Sequence, residues 1–189
     1  VLADSLVQEN GSYSYDIEDL DHNGKVDLSD GGDRYIAGQA TPKVILGSNI
    51  SFRYKNYYVS IQMNGAFGHK IFNGTGLAYT SMACFPDYNV FKDAPKKNII
   101  DQRVSDYWLE KGDYLNFEHL TIGYNVPLRS KLIRSLRVSC NISNIGTITG
   151  YKGLTPMINS YVVNSTMGID DKRNYPLYRT YSLGLSVQF

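Results

Sequence analysis

Between Thr180 and Phe189 the chain reads TYSLGLSVQF, and oily residues take turns with polar or small ones. Tyr181, Leu183, Leu185, Val187 and Phe189 fall on one side, and Thr180, Ser182, Gly184, Ser186 and Gln188 on the other. A period of two is that of an extended strand with one apolar face. About 9–11 tilted residues is also the length with which a β-strand crosses a bilayer. An amphipathic strand of a water-soluble sheet carries the same pattern, so this stretch alone admits both readings.

The alternation recurs upstream. In KVILGSNISFRY, residues 43–54, Val44, Leu46, Ile50, Phe52 and Tyr54 oppose Gly47, Asn49, Ser51 and Arg53, with Ile45 the exception. A tight turn near Lys55 and Asn56 leads to a second run, with Tyr57, Val59, Ile61 and Met63 against Ser60, Gln62 and Asn64. Two such runs with so short a link predict a hairpin. In DYLNFEHLTIGYNVP, residues 113–127, Leu115 and Phe117 share a face; the phase then slips, and Leu120, Ile122, Tyr124 and Val126 share one. The slip predicts a bulge near Glu118–His119. After the basic turn PLRSKLIRS, residues 136–144 place Leu136, Val138, Cys140 and Ile142 on an apolar face. The links after the first and third strands are short, whereas those after the second and fourth, 68–112 and 145–177, are long. Long loops are uncommon in compact domains, and short–long alternation is how outer-membrane barrels are built. The expected fold is all-β, with antiparallel up-and-down strands over 43–189 and an incoming segment over 1–42. Transmembrane barrels start at about eight strands, and an open edge in lipid leaves backbone groups unpaired. The run of strands is therefore either part of a larger barrel or a soluble sheet.

Composition narrows the field. The chain has 189 residues and a net charge of +1, which gives no electrostatic case for nucleic acid. No apolar run approaches the ~18–20 residues of a membrane helix, but a barrel hides its lipid face in alternation. Of 16 tyrosines, Tyr54, Tyr57, Tyr124 and Tyr178 fall near strand ends and fit an interfacial girdle. The opening VLADSLVQEN lacks the basic start and apolar run of a signal peptide, so an exported protein is expected to start upstream. Cys84 and Cys140 have neither metal-ligand nor redox spacing. Cys140 is expected to be a buried thiol, and a disulfide between the two stays open.

The sharpest local motif is DLDHNGKVDLSD, residues 19–30. Asp19, Asp21 and Asn23 occupy positions 1, 3 and 5 of an EF-hand-type loop, with Gly24 at the turn, Lys25 offering a backbone carbonyl, Asp27 at position 9 and Asp30 at position 12. Hard oxygens at alternate positions converge on one Ca²⁺ because such a loop coils around it. The expected role of the calcium is structural. Aspartate at the last position resembles the calcium loop of dockerin-type repeats and weakens bidentate closure. A solvated acidic turn is the alternative.

Five stretches, in order, carry a wider resemblance: DLDHNGKVDLSDGGDRYIAGQATPKVILG, FRYKNYYVSIQMNGAFGHKIFN, LEKGDYLNFEHLTIGYNVP, LRVSCNISNIGTITGYKGLTP and YPLYRTYSLGLSVQF. Together they resemble the C-terminal part of the SusC/RagA family of TonB-dependent outer-membrane transporters of Bacteroidetes. The resemblance implies a 22-stranded barrel with a plug, a SusD-like surface lipoprotein as lid, and uptake of glycans or peptides driven by TonB. TonB box, plug and the earlier strands have no counterpart in the residues given. It also implies that 19–30, 68–112 and 145–177 are outer loops. Tyr181, Leu183, Leu185, Val187 and Phe189 resemble the C-terminal assembly signal of bacterial outer-membrane barrels.

No catalytic pattern is present: there is no G-x-S-x-G, no H-E-x-x-H and no P-loop, and His22, His69 and His119 fall in different elements. No enzymatic activity is expected. Tyr79, Tyr88, Trp108 and Tyr151 lie in the long loops, where an aromatic ring can stack on a sugar, anchor a protein lid or fold the loop onto itself. Two function classes follow. One is a transporter wall with its outer loops, bounded by outer-membrane lipid. The other is a soluble β-rich module, stabilised by calcium, that binds carbohydrate or protein. They differ in whether the oily strand faces meet each other or an outside solvent.

Overall fold

A computed structural model describes residues 3–9, 12–27, 29, 32–100, 102–129, 132–158, 167–172 and 174–189. In chain order the strands are β1 (Ala3–Glu9), β2 (Ser12–Ile17), β3 (Val44–Tyr54), β4 (Tyr57–Phe67), β5 (Lys70–Asn73), β6 (Leu109–Lys111), β7 (Tyr114–Val126), β8 (Ser135–Thr149), β9 (Ile169–Asp170) and β10 (Thr180–Gln188). Two short helices, α1 (Gly74–Thr80) and α2 (Ala94–Lys97), and two 3₁₀ turns, Met82–Cys84 and Asp106–Trp108, lie between β5 and β6. The second 3₁₀ turn falls within VSDYWLE, residues 104–110. Contacts divide the chain into a loop unit (1–41, 69–111 and 151–174) and a strand unit (42–68, 112–150 and 175–189). The expected division at 42 assigned the two long loops to the strands; by contacts they join the N-terminal segment instead.

The strand unit is one antiparallel sheet in the order β10-β8-β7-β4-β3. Its strands run from 9 to 15 residues, long enough to cross a bilayer at a tilt. Register turns the separate alternations into two continuous faces. Leu183 pairs with Cys140, Cys140 with Ile122, Ile122 with Val59 and Val59 with Phe52. The rows on either side, Tyr181–Ile142–Leu120–Ile61–Ile50 and Leu185–Val138–Tyr124–Tyr57–Tyr54, are equally apolar or aromatic. Intervening rows are polar: Ser182–Asn141–Thr121–Ser60–Ser51, and Thr180–Ser143–His119–Gln62–Asn49. A shift of one residue in any strand would exchange its faces, so the hydrophobic pattern specifies this register.

The slip expected near Glu118 is present. Pairing jumps between Gln62 and Met63 on one side and between Phe117 and His119 on the other, leaving Glu118 as the extra residue. It restores phase, so Phe117 and Leu115 rejoin the apolar face opposite Met63 and Gly65. Opposite the bulge, Asn144 adopts φ 54°, and β8 runs on to Thr149, beyond its expected end at Asn144. Asn144 closed the expected strand and Gly146 fell in the expected loop, but here both belong to the irregular stretch of a continuing strand. The tight turn at Lys55–Asn56 is as expected, with Lys55 at φ 52°.

The apolar face has no interior to fill. Leu183 is 85% exposed, Leu185 69% and Phe52 66%. Most of the buried apolar residues belong to the loop unit: Ile71, Ala94, Ile99, Trp108 and Tyr151. There Ile99 and Trp108 pack with Ile17, Phe72 and Leu77. β1 and β2 form a hairpin, and β5 pairs antiparallel with β6 and parallel with β9. No described helix is long and apolar enough to cross a membrane. The cysteines are free. Cys140, expected buried, is half-buried within the apolar face, because its neighbours there point outward too.

Candidate functional site

The polar face of the strand unit carries its own bonding. Ser60 Oγ lies 3.0 Å from both Ser51 Oγ and Asn49 Oδ1, and Thr121 Oγ1 donates to Asn141 Oδ1 at 2.9 Å. Glu118, displaced by the bulge, accepts from Gln62 Nε2 and Asn64 Nδ2, both at 3.1 Å. Arg137 lies 5.4 Å from the Tyr58 ring centre, and its Nε donates to Asn125 Oδ1 at 2.8 Å. The Tyr58 ring itself fills the space over Gly123, where an added Cβ would come within 1.9 Å of a ring carbon. Hydroxyl, amide and charged groups that bond one another and remain partly exposed make a wall that water wets. The opposite face, rich in Leu, Ile, Val and Phe, suits hydrocarbon. Toward the short-turn end that apolar face closes on Tyr54, Tyr57 and Tyr124, the last two with ring centres 4.6 Å apart. An aromatic row at the edge of an apolar band is the mark of a membrane–water interface.

In the loop unit, the buried carboxylate of Asp170 and the half-buried one of Glu110 tie distant segments together. Asp170, 1% exposed, accepts from Thr75 Oγ1 at 2.8 Å, Tyr151 OH at 2.7 Å and Asn174 Nδ2 at 3.1 Å. Glu110 accepts from Asn73 Nδ2 at 2.9 Å and the Lys152 amide at 2.8 Å. Asn73 turns its Oδ1 to the Gly76 amide and so caps α1. Burial, the Asp170 hydrogen bond, and the charges of Asp170 and Glu110 push the Tyr151 hydroxyl well above the usual tyrosine range. These bonds join the segment after β4 to the segment after β8.

The acidic loop departs from the expected ligand set. Carboxylate oxygens of Asp19, Asp21 and Asp33 all lie within 4.8 Å of one another. Asp33, fully buried, accepts from the amides of Leu20 and Asp27 at 2.7 and 2.6 Å. Asp19 accepts from the amides of Asn23 and Gly24. Desolvation raises its affinity for a proton, but those N–H groups outweigh it and hold the carboxyl below the usual range. Asn23 sits beside the cluster, donating to Asp21 at 2.7 Å and accepting from the Lys25 amide. Asp27 turns its carboxylate to Ser29 instead. Asp30 lies outside the described residues. Counting a fixed 12-residue loop passes over Asp33. The available signal was Gly32 just before it, which lets the chain pass close to Asp27: a Cβ there would sit 2.5 Å from the Asp27 carbonyl oxygen.

The aromatics expected to face a ligand or partner are placed unequally. Trp108 and Tyr151 are each only 6% exposed, held by the loop core and by Asp170. Tyr79 is half-buried, edge-on to Phe91 at 6.0 Å. Tyr88 is 66% exposed. Folding the loop onto itself takes the first two rings; an exposed ring remains at Tyr88. Tyr181, Leu183, Leu185, Val187 and Phe189 all line the apolar face or its end, and all are exposed.

A two-faced antiparallel sheet, whose strands are long enough to cross a bilayer and are linked by short turns at one end, has the make-up of outer-membrane β-barrel wall. Comparison with known proteins is specific about the kind. The fold matches a solved structure of the RagAB peptide transporter (TM-score 0.64, 18% identity, 82% of this chain and 18% of that chain). It also matches the RagAB peptide importer in its 'closed-closed' state (TM-score 0.57, 17% identity, 88% of this chain and 20% of that one). In sequence the chain is 28% identical to TonB-dependent receptor P3 of Formosa agariphila and 26% identical to TonB-dependent receptor SusC of Bacteroides thetaiotaomicron, over 90% of its own length in each case. It spans 18% and 17% of those two relatives. No protein-family model matches it. In sequence and fold the chain is thus similar to one part of outer-membrane receptors of the SusC/RagA type. These relatives are receptors and transporters rather than enzymes, in keeping with the lack of a catalytic pattern.

Proposed function

We propose that this chain forms C-terminal wall and outer loops of a TonB-dependent transporter that imports glycans or peptides with a SusD-like surface lipoprotein. The observation that carries the reading is the register of the five-stranded sheet, which aligns the apolar rows through Ile50, Phe52 and Tyr54 on one face and the polar rows through Asn49 and Ser51 on the other, with the row of Ile45 as the exception. Such a sheet needs lipid on one side and a wet lumen on the other, and a soluble module has no use for it. The relatives' names support a TonB-dependent receptor, and those of the solved structures a peptide transporter; glycan uptake rests on the resemblance read from the sequence. In this reading 68–112 and 145–177 are outer loops, and Tyr88 offers the ring that meets ligand or lid. The test is a deletion of the full-length gene, followed by growth on a panel of glycans and peptides and affinity purification of the tagged protein. Loss of growth on one substrate class, with a surface lipoprotein co-purifying, is expected. Unchanged growth on every substrate and no lipoprotein partner would overturn the proposal.

The acidic loop is proposed as a structural calcium site, with Asp19, Asp21 and Asp33 as carboxylate ligands. Three carboxylates drawn this close repel one another, and their oxygens keep lone pairs beyond those given to backbone amides. A hard divalent cation relieves the repulsion and suits all-oxygen donors. Titration calorimetry of the intact transporter should show calcium heat that Asp33→Asn diminishes; no heat from the intact protein removes the site.

A further inference from the structure

The charges of the strand unit are distributed unevenly along the barrel wall. Its two acidic side chains, Asp113 and Glu118, lie just before the start of β7 and at the bulge, away from the short turns. Exposed cations lie at both ends: Lys43 and Arg179 just before β3 and β10 at the long-loop end, and, at the opposite end with no acidic side chain among them, Arg53 and Lys55 at the β3–β4 turn and Arg129, Arg134 and Arg137 around the β7–β8 turn. Arg53 and Arg137 belong to the polar face. Lys55, Arg129 and Arg134 lie in or beside the turns. Lys55 Nζ lies 5.3 Å from the ring centre of Tyr54, the end residue of the interfacial aromatic row. Between Arg129 and Arg134, Leu132 is 81% exposed, and Leu128 is also exposed. Cations interleaved with exposed leucines, at the level of a tyrosine row, have the make-up of a surface that lies in a bilayer interface. An acidic protein segment would pair with the cations and leave the leucines in water.

We propose that Lys55, Arg129 and Arg134 form a headgroup site that holds anionic phospholipid of the leaflet at the short-turn end of the barrel. This rests on the outer-membrane wall assignment and extends it to the lipid. The phosphate is drawn by charge, Leu128 and Leu132 enter beside the acyl chains, and Tyr54 supports Lys55. Short turns in such barrels face the periplasm, so the lipid is that of the periplasmic leaflet. No Asp or Glu side chain of the strand unit lies at this end to neutralise the site.

The experiment places the full-length transporter in phosphatidylcholine vesicles doped with spin-labelled phosphatidylglycerol or spin-labelled phosphatidylcholine. The fraction of each label immobilised at the protein is read by electron paramagnetic resonance. The intact protein should hold phosphatidylglycerol in preference, less so as salt rises. A cation near an anionic surface is worth about a fivefold change in partitioning. The triple variant K55Q/R129Q/R134Q should therefore lose at least about fivefold of the preference, while R53Q/R137Q on the polar face keeps it. Heat-modifiable gel mobility reports folding of each variant; if the triple variant does not fold, Arg129→Gln alone should give a smaller loss in the same direction. A preference that survives the triple variant, or is absent from the intact protein, overturns the proposal. Loss with R53Q/R137Q instead points to an acidic protein segment in the lumen and overturns it too. Immobilisation of neither lipid would mean that the chain does not line a membrane, a failure distinct from that of the headgroup site.

Discussion

Tyr151 and Asp170 form the bond whose loss should be felt most widely in the loop unit. Tyr151 OH is the partner of Asp170 Oδ2 at 2.7 Å, while Oδ1 is shared by Thr75, Asn174 and the Lys172 amide. Tyr151→Phe keeps the ring in place and removes only the donor, leaving one oxygen of a nearly fully buried carboxylate without a partner. A hydrogen bond to a charged group contributes about 1.5–3 kcal/mol. The amides that report it are those of β5 and β9, because Asn73 pairs with Asp170 and the Phe72 amide donates to the Gly168 carbonyl at 2.8 Å. If these open as a unit, their hydrogen exchange should accelerate about 10- to 150-fold, at about 1.4 kcal/mol per factor of ten. The full-length protein with Y151F, D170N and both changes should show strong coupling between the two sites. The sign with pH is also set. Burial and Asp170 raise the Tyr151 pKa in the folded protein, so its contribution is complete below the ordinary value of about 10 and fades as pH rises towards the folded value. Y151F should remove that alkaline decline. Wild-type exchange rates in Y151F, or strict additivity in the double variant, would refute the reasoning.

Three further outcomes follow from the wall. Leu183→Arg, on the exposed apolar face, should lower barrel stability by about 2–4 kcal/mol near the bilayer midplane, whereas Ser182→Arg, its neighbour on the polar face, should change little; denaturant unfolding of the reconstituted protein compares them. Gly123→Ala should expel the Tyr58 ring from its seat, which a shift in Tyr58 side-chain signals or in unfolding midpoint would report, while Gly47→Ala, with open space around it, should not. Removing Phe189 should reduce surface levels of assembled transporter more than uptake per assembled molecule; equal surface levels of truncated and intact protein would count against its role as an assembly signal.

Much of the wall could be read from residues alone because strand periodicity is local. Leu183 and Ser182 are assigned to opposite faces by adjacency, and the phase slip at Glu118 announced its bulge before any partner strand was known. The loops were less legible. Asn144 and Gly146 carry the composition of a turn, yet pairing with β7 extends β8 through them. Trp108 and Tyr151 have the same composition and setting as Tyr88, and nothing nearby in sequence says which ring is enclosed. Asp33 escaped the calcium-loop count because its approach to Asp19 depends on a close passage at Gly32 rather than on a fixed spacing.

By itself, then, the sequence of this protein determined the two-faced strands, their short and long links and their resemblance to SusC/RagA transporters, since each follows from spacing or ordered motifs. The tertiary structure decided which rows meet across the sheet, which carboxylates converge in the acidic loop, and which loop aromatics are covered. Those depend on residues far apart in the chain, such as Thr75, Tyr151 and Asp170, being brought within bonding distance. Periodicity along one strand carries no information about what arrives beside it.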